Sequence, residues 1–570
     1  MQNQESKPEG RFFLAMAMTF GFLFVWYNYL APKPASAIKE NVSSQQDTSV
    51  EDKNTSLRQK QEVTNKVDTA KQMPEQDKSL VNIATKPTAQ QSIKPEQKTV
   101  ETNSFALSFS NQGGGLFKVV SKEHMKVKGG EEGVVLLAAT KHHALPLSWL
   151  FDINGQIIDT GNMPFKMVYN ESEKTVEFNQ QLAADLSLSK TFSWQEESHL
   201  IGHAIKINNT GSKPYTIKPI IELAAQEAVQ TEKKRSFFFA PQLNQLSGLA
   251  DIGDDVSRWP VSKFGTDEKP TKIPTGGIEW FGFDQQYFLF SALPKEGRWE
   301  SLKVEKAIGE NEGVISAQYP SWSLAAGQQK SYAIDIYAGP KDIHVLEQTK
   351  PGLEQAIDLG SWLGPIARPI LRFLKFLHDF VPNYGVAIIL LTVLVRLLMF
   401  PLTQVQAKSM KKMSLHKPQM DALKEQYKDD REAYSRELMG YMREHKINPA
   451  SGCFLLILQM PVFFALYRVL YNSIELRHAP FFGWINDLSA HDPLFILPVL
   501  LGISMFFQQK LTPTAGVDPA QQQIMKFIPL IFTVFMIFLP AGLNLYILVS
   551  TLWGVGQQYW IQKGTKAVTA

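Results

Sequence analysis

The sequence specifies a polytopic α-helical membrane protein of six spans with one all-β domain outside the bilayer. Three observations lead there. Apolar runs of spanning length occur at 12–30 and repeatedly over 384–560, period-two alternation fills much of 105–338, and basic residues crowd one loop between spans. Over 570 residues the two halves cancel, so a mean hydropathy near zero describes neither. The net charge of +3 comes with no concentrated basic face of the kind nucleic acid requires, and no nucleic-acid partner is expected. Cys453 is the only cysteine, which excludes a disulfide framework; it reads as a small buried apolar residue at the start of a span.

Residues 1–31 form an N-terminal membrane anchor. The apolar run 12–30 (FFLAMAMTFGFLFVWYNYL) is about 19 residues, or roughly 28 Å as a helix, close to the hydrocarbon thickness. Lys7 and Arg11 before it and Ala35-Ser36-Ala37 after it would also suit a cleaved signal peptide. The run is longer than a signal-peptide core, however, and Trp26, Tyr27 and Tyr29 make an interfacial belt, so a retained anchor is expected. Residues 32–101 are rich in Lys, Gln, Thr, Ser, Asp and Glu without a sustained period, and read as a disordered tether.

Residues 102–340 read as a β-sandwich. Stretches such as Thr175-Val176-Glu177-Phe178 and Ile205-Lys206-Ile207-Asn208 alternate, and Asn154-Gly155 and Gly161-Asn162 mark turns. His142-His143 is read as adjacent strand residues on opposite faces, which cannot chelate one ion, so no metal is expected. Asp254, Asp255 and Glu279 are acids of the kind glycosidases pair, but sequence spacing says nothing of their separation in space; no catalysis is assigned and the chain is not read as an enzyme. The Gly113-Gly114-Gly115 run lacks the Lys-Ser/Thr of a phosphate loop and reads as a flexible entry to the domain.

Residues 359–381 follow as an amphipathic helix, with Arg368, Arg372, Lys375 and Asp379 opposite Ile366, Ile370, Phe373, Leu374 and Leu377; such a helix suits the membrane interface. The second span is 384–402. The loop 403–451 carries Lys408, Lys411, Lys412, Lys417, Lys424, Lys428, Arg431, Arg436, Arg443 and Lys446, which places it in the cytoplasm, both termini with it, and the sandwich outside, as in a bacterial periplasm. Stripes at Met420, Leu423 and Tyr427 and at Tyr434, Leu438, Tyr441 and Met442 make this loop a helical hairpin with a face for a partner or for water. Four more spans fill 452–562, with apolar runs at 454–471, 493–508, 524–539 and 543–560, before a short tail at 563–570. The runs 493–508 and 524–539 are about 16 residues, near 24 Å against a core of about 30 Å, and should thin the bilayer.

Arg396 stands alone in the apolar stretch VAIILLTVLVRLLMF of 386–400, at a cost of about 2.5–3.5 kcal/mol on insertion scales, and that cost marks it as functional. Thr392 lies one turn away on the same face, and Gln459 stands near the helix-breaking Pro461 in another span. A side chain that snorkels toward Thr403 is the alternative.

The segment LTVLVRLLMFPLT from Leu391 to Thr403, then Asn448-Pro449, Gly452-Cys453-Phe454, QMPVF from Gln459, Ala465-Leu466-Tyr467, Asp487-Leu488-Ser489, Leu497-Pro498 and Gln521-Gln522, resembles in order the bacterial YidC membrane insertases. The likeness is close over 362–560 and looser in the sandwich, at Gly276-Gly277 and Gln285-Gln286-Tyr287-Phe288 among others. It implies a five-helix insertase core and a periplasmic supersandwich related to sugar-binding sandwiches and peripheral to insertion. It implies a chaperone and insertase of the bacterial inner membrane, acting alone or with the Sec translocon, without nucleotide or cofactor. The client-binding groove it implies holds Arg396, Thr392, Gln459 and Tyr546, and opens to cytoplasm and lipid but not to the periplasm. Its implied partners are nascent membrane proteins, the Sec translocon with its accessory subunits, the lipid bilayer, and the ribosome and signal-recognition-particle receptor at the hairpin. After Trp560 the tail holds only Lys563 and Lys566, so ribosome contact through a long basic tail is not implied. A secondary transporter would show paired broken helices in two matching halves. A membrane-tethered sugar-binding protein would lose its function with residues 105–337, a deletion an insertase should tolerate.

Overall fold

The computed structural model describes residues 93–226, 246–253, 255–266, 271–273, 277–306, 312–360, 362–428, 430–445, 447, 450–511 and 519–566. The expected anchor and most of the expected tether lie outside them. Ordered structure begins earlier than alternation indicates: Gln97–Glu101, inside the stretch read as tether, is a strand paired antiparallel with Phe105–Ser110. Only Val100 of its five residues is buried, so an apolar period had nothing to register.

Among the described residues the β domain has a four-, a nine- and an eight-stranded sheet. The central strands obey the period the sequence shows. Leu200–Asn209 buries Ile201, Ile205 and Ile207 on one face, and pairs with Leu186–Trp194 on one side and Gln329–Pro340 on the other. One core cluster joins Phe192, Ile205 and Ile336 of the nine-stranded sheet to Trp149, Phe151 and Leu223 of the eight-stranded one, so the two large sheets share a single interior. Trp149 Nε1 donates to His203 Nε2 across it at 2.8 Å. Asn154 and Gly155, with φ of 53° and 87°, form the two-residue turn between Leu147–Ile153 and Gln156–Asp159, the left-handed pair a tight hairpin demands.

Two local readings are corrected. His142 and His143 lie in the connection after the strand Gly133–Ala138, because Thr140 Oγ1 accepts the His143 N–H at 3.0 Å and turns the chain; His143 Nδ1 then meets Glu312 Oε1 at 2.6 Å. The triple glycine is packed rather than flexible. Gly114 has φ of 57°, and a Cβ there would stand 2.5 Å from the Phe165 ring.

Asp342 caps helix α1 (Ile343–Thr349), accepting the N–H groups of His344 at 2.8 Å and Val345 at 3.2 Å. The helical part continues through α2 (Gly364–Phe380), α3 (Tyr384–Leu415), the hairpin α4 (Lys417–Gln426) and α5 (Arg431–Glu444), then α6 (Ala450–Asn472), α7 (Ile496–Leu511), α8 (Pro519–Met536) and α9 (Ala541–Lys566). Helix α3 runs 32 residues, so the hairpin begins at Lys417 instead of 403. Hydropathy changes after Leu402, but Gln, Ala, Lys and Met are good helix formers and the backbone ladder continues. Helix α7 starts late, at Ile496, because Asp492 accepts the N–H groups of Leu494 at 3.0 Å and Leu497 at 2.7 Å.

Helix α2 buries Ala367, Leu371 and Leu374 and leaves Trp362 before it, Ile366, Phe376 and Phe380 exposed. Its polar stripe meets protein: Arg372 pairs with Glu347 of α1, and Lys375 with Asp342 and, at 3.6 Å, with Glu475 after α6. Burial pushes the Glu475 carboxyl up to about 7 against the pull of Lys375.

The β domain is fastened to the helices. Gln286 Nε2 donates to the Tyr471 carbonyl at 3.0 Å, and in the connection that leads from the β domain to α2 the Asp358 carbonyl accepts from Asn472 Nδ2 at 2.7 Å and its carboxylate pairs with Arg468 at 2.9 Å. Beneath them one apolar cluster runs from Trp280, Leu289, Leu293 and Tyr337 of the nine-stranded sheet through Leu346 and Leu353 to Leu371, Ala465 and Leu470. Asp284, buried beside it, is shared by Lys341 at 2.9 Å and by Arg258.

Among the described residues no helix is long and apolar enough to cross a membrane. The helical part nonetheless turns many large apolar side chains outward, among them Leu398, Phe507, Phe527, Leu530 and Ile531, all more than half exposed.

Candidate functional site

Helices α3, α6 and α9 converge on one cleft. Thr392, Val395, Arg396 and Met399 come from α3 at the spacing that puts them on one face; Gln459 and Val462 come from α6, and Tyr546 and Ser550, one turn apart, from α9. About 240 Å³ not filled by atoms lies among these side chains, counting the part that belongs to open solvent. The four residues singled out in the sequence thus line a single cleft.

Thr392, Tyr546 and Ser550 are buried, while Arg396 is half-buried. Arg396 does not run along α3 toward Thr403. Its Nε (3.0 Å) and Nη2 (2.5 Å) both donate to Ser550 Oγ across the cleft, while Thr403 Oγ1 accepts from Gln557 Nε2 at 2.7 Å. The Thr392 hydroxyl turns back onto the Ile388 carbonyl at 2.6 Å, and the Tyr546 ring packs near Phe463 with centroids 6.4 Å apart. Ser550 escaped the sequence reading because a serine in an apolar helix is commonplace; its place four residues after Tyr546 was the available signal.

No Asp or Glu lies among the residues lining the cleft. A fixed cation with a hydroxyl, an amide and a phenol around it can hold an anion or order water.

Known proteins share both halves of this architecture. The family model described as YidC periplasmic domain matches residues 97–373, and that described as 60Kd inner membrane protein matches 376–568. The membrane protein insertase YidC of Citrifermentans bemidjiense is 34% identical over 473 residues, covering 82% of this chain and 85% of the relative. The chain belongs to the YidC membrane protein insertase family. The YidC of Syntrophus aciditrophicus is likewise 34% identical, over 477 residues, 82% of this chain and 85% of its own. A crystal structure of an active YidC insertase with its first transmembrane domain resolved is 19% identical with a TM-score of 0.36, over 82% of this chain and 94% of that one.

As a YidC family member the protein is a membrane protein insertase of the inner membrane, and its β domain is periplasmic. The YidC-like motif Asp487-Leu488-Ser489 stands apart from the cleft. Asp487 Oδ1 accepts the N–H groups of His478 at 3.0 Å and Ser489 at 2.9 Å and the Ser489 hydroxyl at 2.7 Å, which closes the loop between α6 and α7. Of the other motif residues, Asn448, Pro449 and Gly276 lie outside the described residues.

Proposed function

We propose that this insertase moves the polar end of a client through the cleft at Arg396 by electrostatic attraction, without nucleotide. The observation that carries the reading is a half-buried guanidinium whose cleft supplies no carboxylate to neutralise it. Thr392, Gln459 and Tyr546 serve as client contacts beside it. The client's apolar helix then leaves sideways into lipid, and its burial, worth about 25 cal/mol per Å², drives the step.

In this reading α3, α6, α7, α8 and α9, with the run 12–30, are six spans. Outward-facing apolar side chains support it: soluble monomers rarely expose a contiguous apolar patch beyond about 300–600 Å², and lipid removes the penalty. Lys412, Lys417, Lys424, Lys428, Arg436 and Arg443 put the hairpin and both termini in the cytoplasm. Helix α7 has 16 residues, about 24 Å, and thins the bilayer beside the cleft. The exposed face of α4 and α5 is the docking place for the ribosome or the signal-recognition-particle receptor, and the Sec translocon is the partner for larger clients.

The test is reconstitution of the purified chain in liposomes without nucleotide, reading protease protection of a short single-span client. Protection that Arg396→Ala reduces supports the reading; protection indifferent to that change sinks it.

A further inference from the structure

We propose that Ser550 is a positioning residue that turns Arg396 end-on into the cleft, so that the site prefers a client carboxylate. This deepens the proposed role of Arg396 and rests on it. A guanidinium carries five N–H donors in one plane, and its edges are not equivalent. Nε and Nη2, which form the side edge, both donate to Ser550 Oγ. A hydroxyl oxygen has two lone pairs, so this one group occupies both. The end edge, formed by Nη1 and the second hydrogen of Nη2, meets no acceptor among the described residues. A carboxylate can be gripped with two parallel hydrogen bonds on either edge, and with the side edge taken by Ser550 the end edge is the one left to it.

Several hydroxyls of the helical part are spent on their own helix. Thr392 donates to Ile388 O, Ser504 to Leu500 O, Thr533 to Pro529 O and Thr551 to Ile547 O, each satisfied within its own helix. Ser550, like Thr403 with Gln557, instead accepts from another helix. It is 6% exposed and lies one turn from the buried Tyr546, so the oxygen is fixed in place. Without it the guanidinium turns about its long stem and presents any edge.

The test uses full-length protein in liposomes with two clients, one with an acidic tail and one with the same acids changed to Asn and Gln. Ser550→Ala and Ser550→Val should insert the acidic client about fivefold less while leaving the amide client within about twofold of native. Ser550→Thr, the same shape as Val but with the hydroxyl, should restore the native preference. Equal loss for both clients, no loss for either, or a Thr variant that behaves like Val overturns the proposal. An acidic client indifferent to Arg396→Ala would overturn the Arg396 reading itself, whereas loss with Arg396→Ala and none with Ser550→Ala overturns only the role of Ser550.

Discussion

Arg396 shares its cleft with hydroxyls, an amide, a phenol and apolar side chains, and no carboxylate is among the lining residues. If the charge itself is what the client meets, Arg396→Lys should keep more insertion of an acidic-tailed client than Arg396→Ala, which should lose about tenfold, the worth of one charge-assisted hydrogen bond. Equal loss in both variants, read by protease protection, would refute the charge picture. Arg396, Thr392, Gln459 and Tyr546 were legible for different reasons. The arginine stands out by its cost in an apolar run and Thr392 by helical spacing, whereas Tyr546 was reachable only through family likeness. Ser550 carried no such mark, because its partner is 154 positions away in sequence.

At the scale of elements, α2 was read as a helix with one wet, basic side, and the structure fills that side with acids. Lys375 lies between Asp342 and Glu475, contributed by segments more than a hundred residues apart, which periodicity within one helix cannot reveal. Burial pushes the Glu475 carboxyl up to about 7 in the folded chain, against an ordinary value of 4.5 when unfolded. Between those values the folded state holds a proton the unfolded state lacks, so this group favours folding at low pH and the benefit fades as pH rises through about 7. Glu475→Gln, neutral throughout, should therefore gain on the native protein at pH 8 and lose that advantage by pH 5. Thermal unfolding of the two proteins in detergent at both pH values checks this; a difference that does not change with pH would contradict it. Helix ends were the least legible part, since α3 and α8 overrun their apolar stretches at one end where nothing stops the backbone ladder.

For the whole molecule, the sandwich and the helical half were each legible from their own periods, two and 3.6, but their fastening was not: Gln286 and Tyr471 are 185 positions apart. That fastening sharpens what removing the sandwich should do. A deletion of 105–337 should spare insertion but lower the unfolding temperature of the helical half, because Trp280, Leu289, Leu293 and Tyr337 leave Leu346, Leu353 and Leu371 with an uncovered face. Unchanged melting of the deleted protein would show that the shared cluster contributes nothing. Asp284→Ala leaves Lys341 and Arg258 without their common partner and should cost about 3–5 kcal/mol in urea unfolding of the full chain.

Helix α3 is one rod of 32 residues, about 48 Å long, with Pro401 as a missing rung. Its first end is pinned where Tyr384 stacks on His378 of α2, with ring centroids 3.7 Å apart, and its last end carries the hairpin. Tilting such a lever by 5° about the pinned end sweeps the hairpin base through about 4 Å and Arg396, a little over a third of the way along, through about 1.5 Å. Travel of that size changes the reach from Arg396 to Ser550, so a tilt that moves the hairpin base moves the cleft with it.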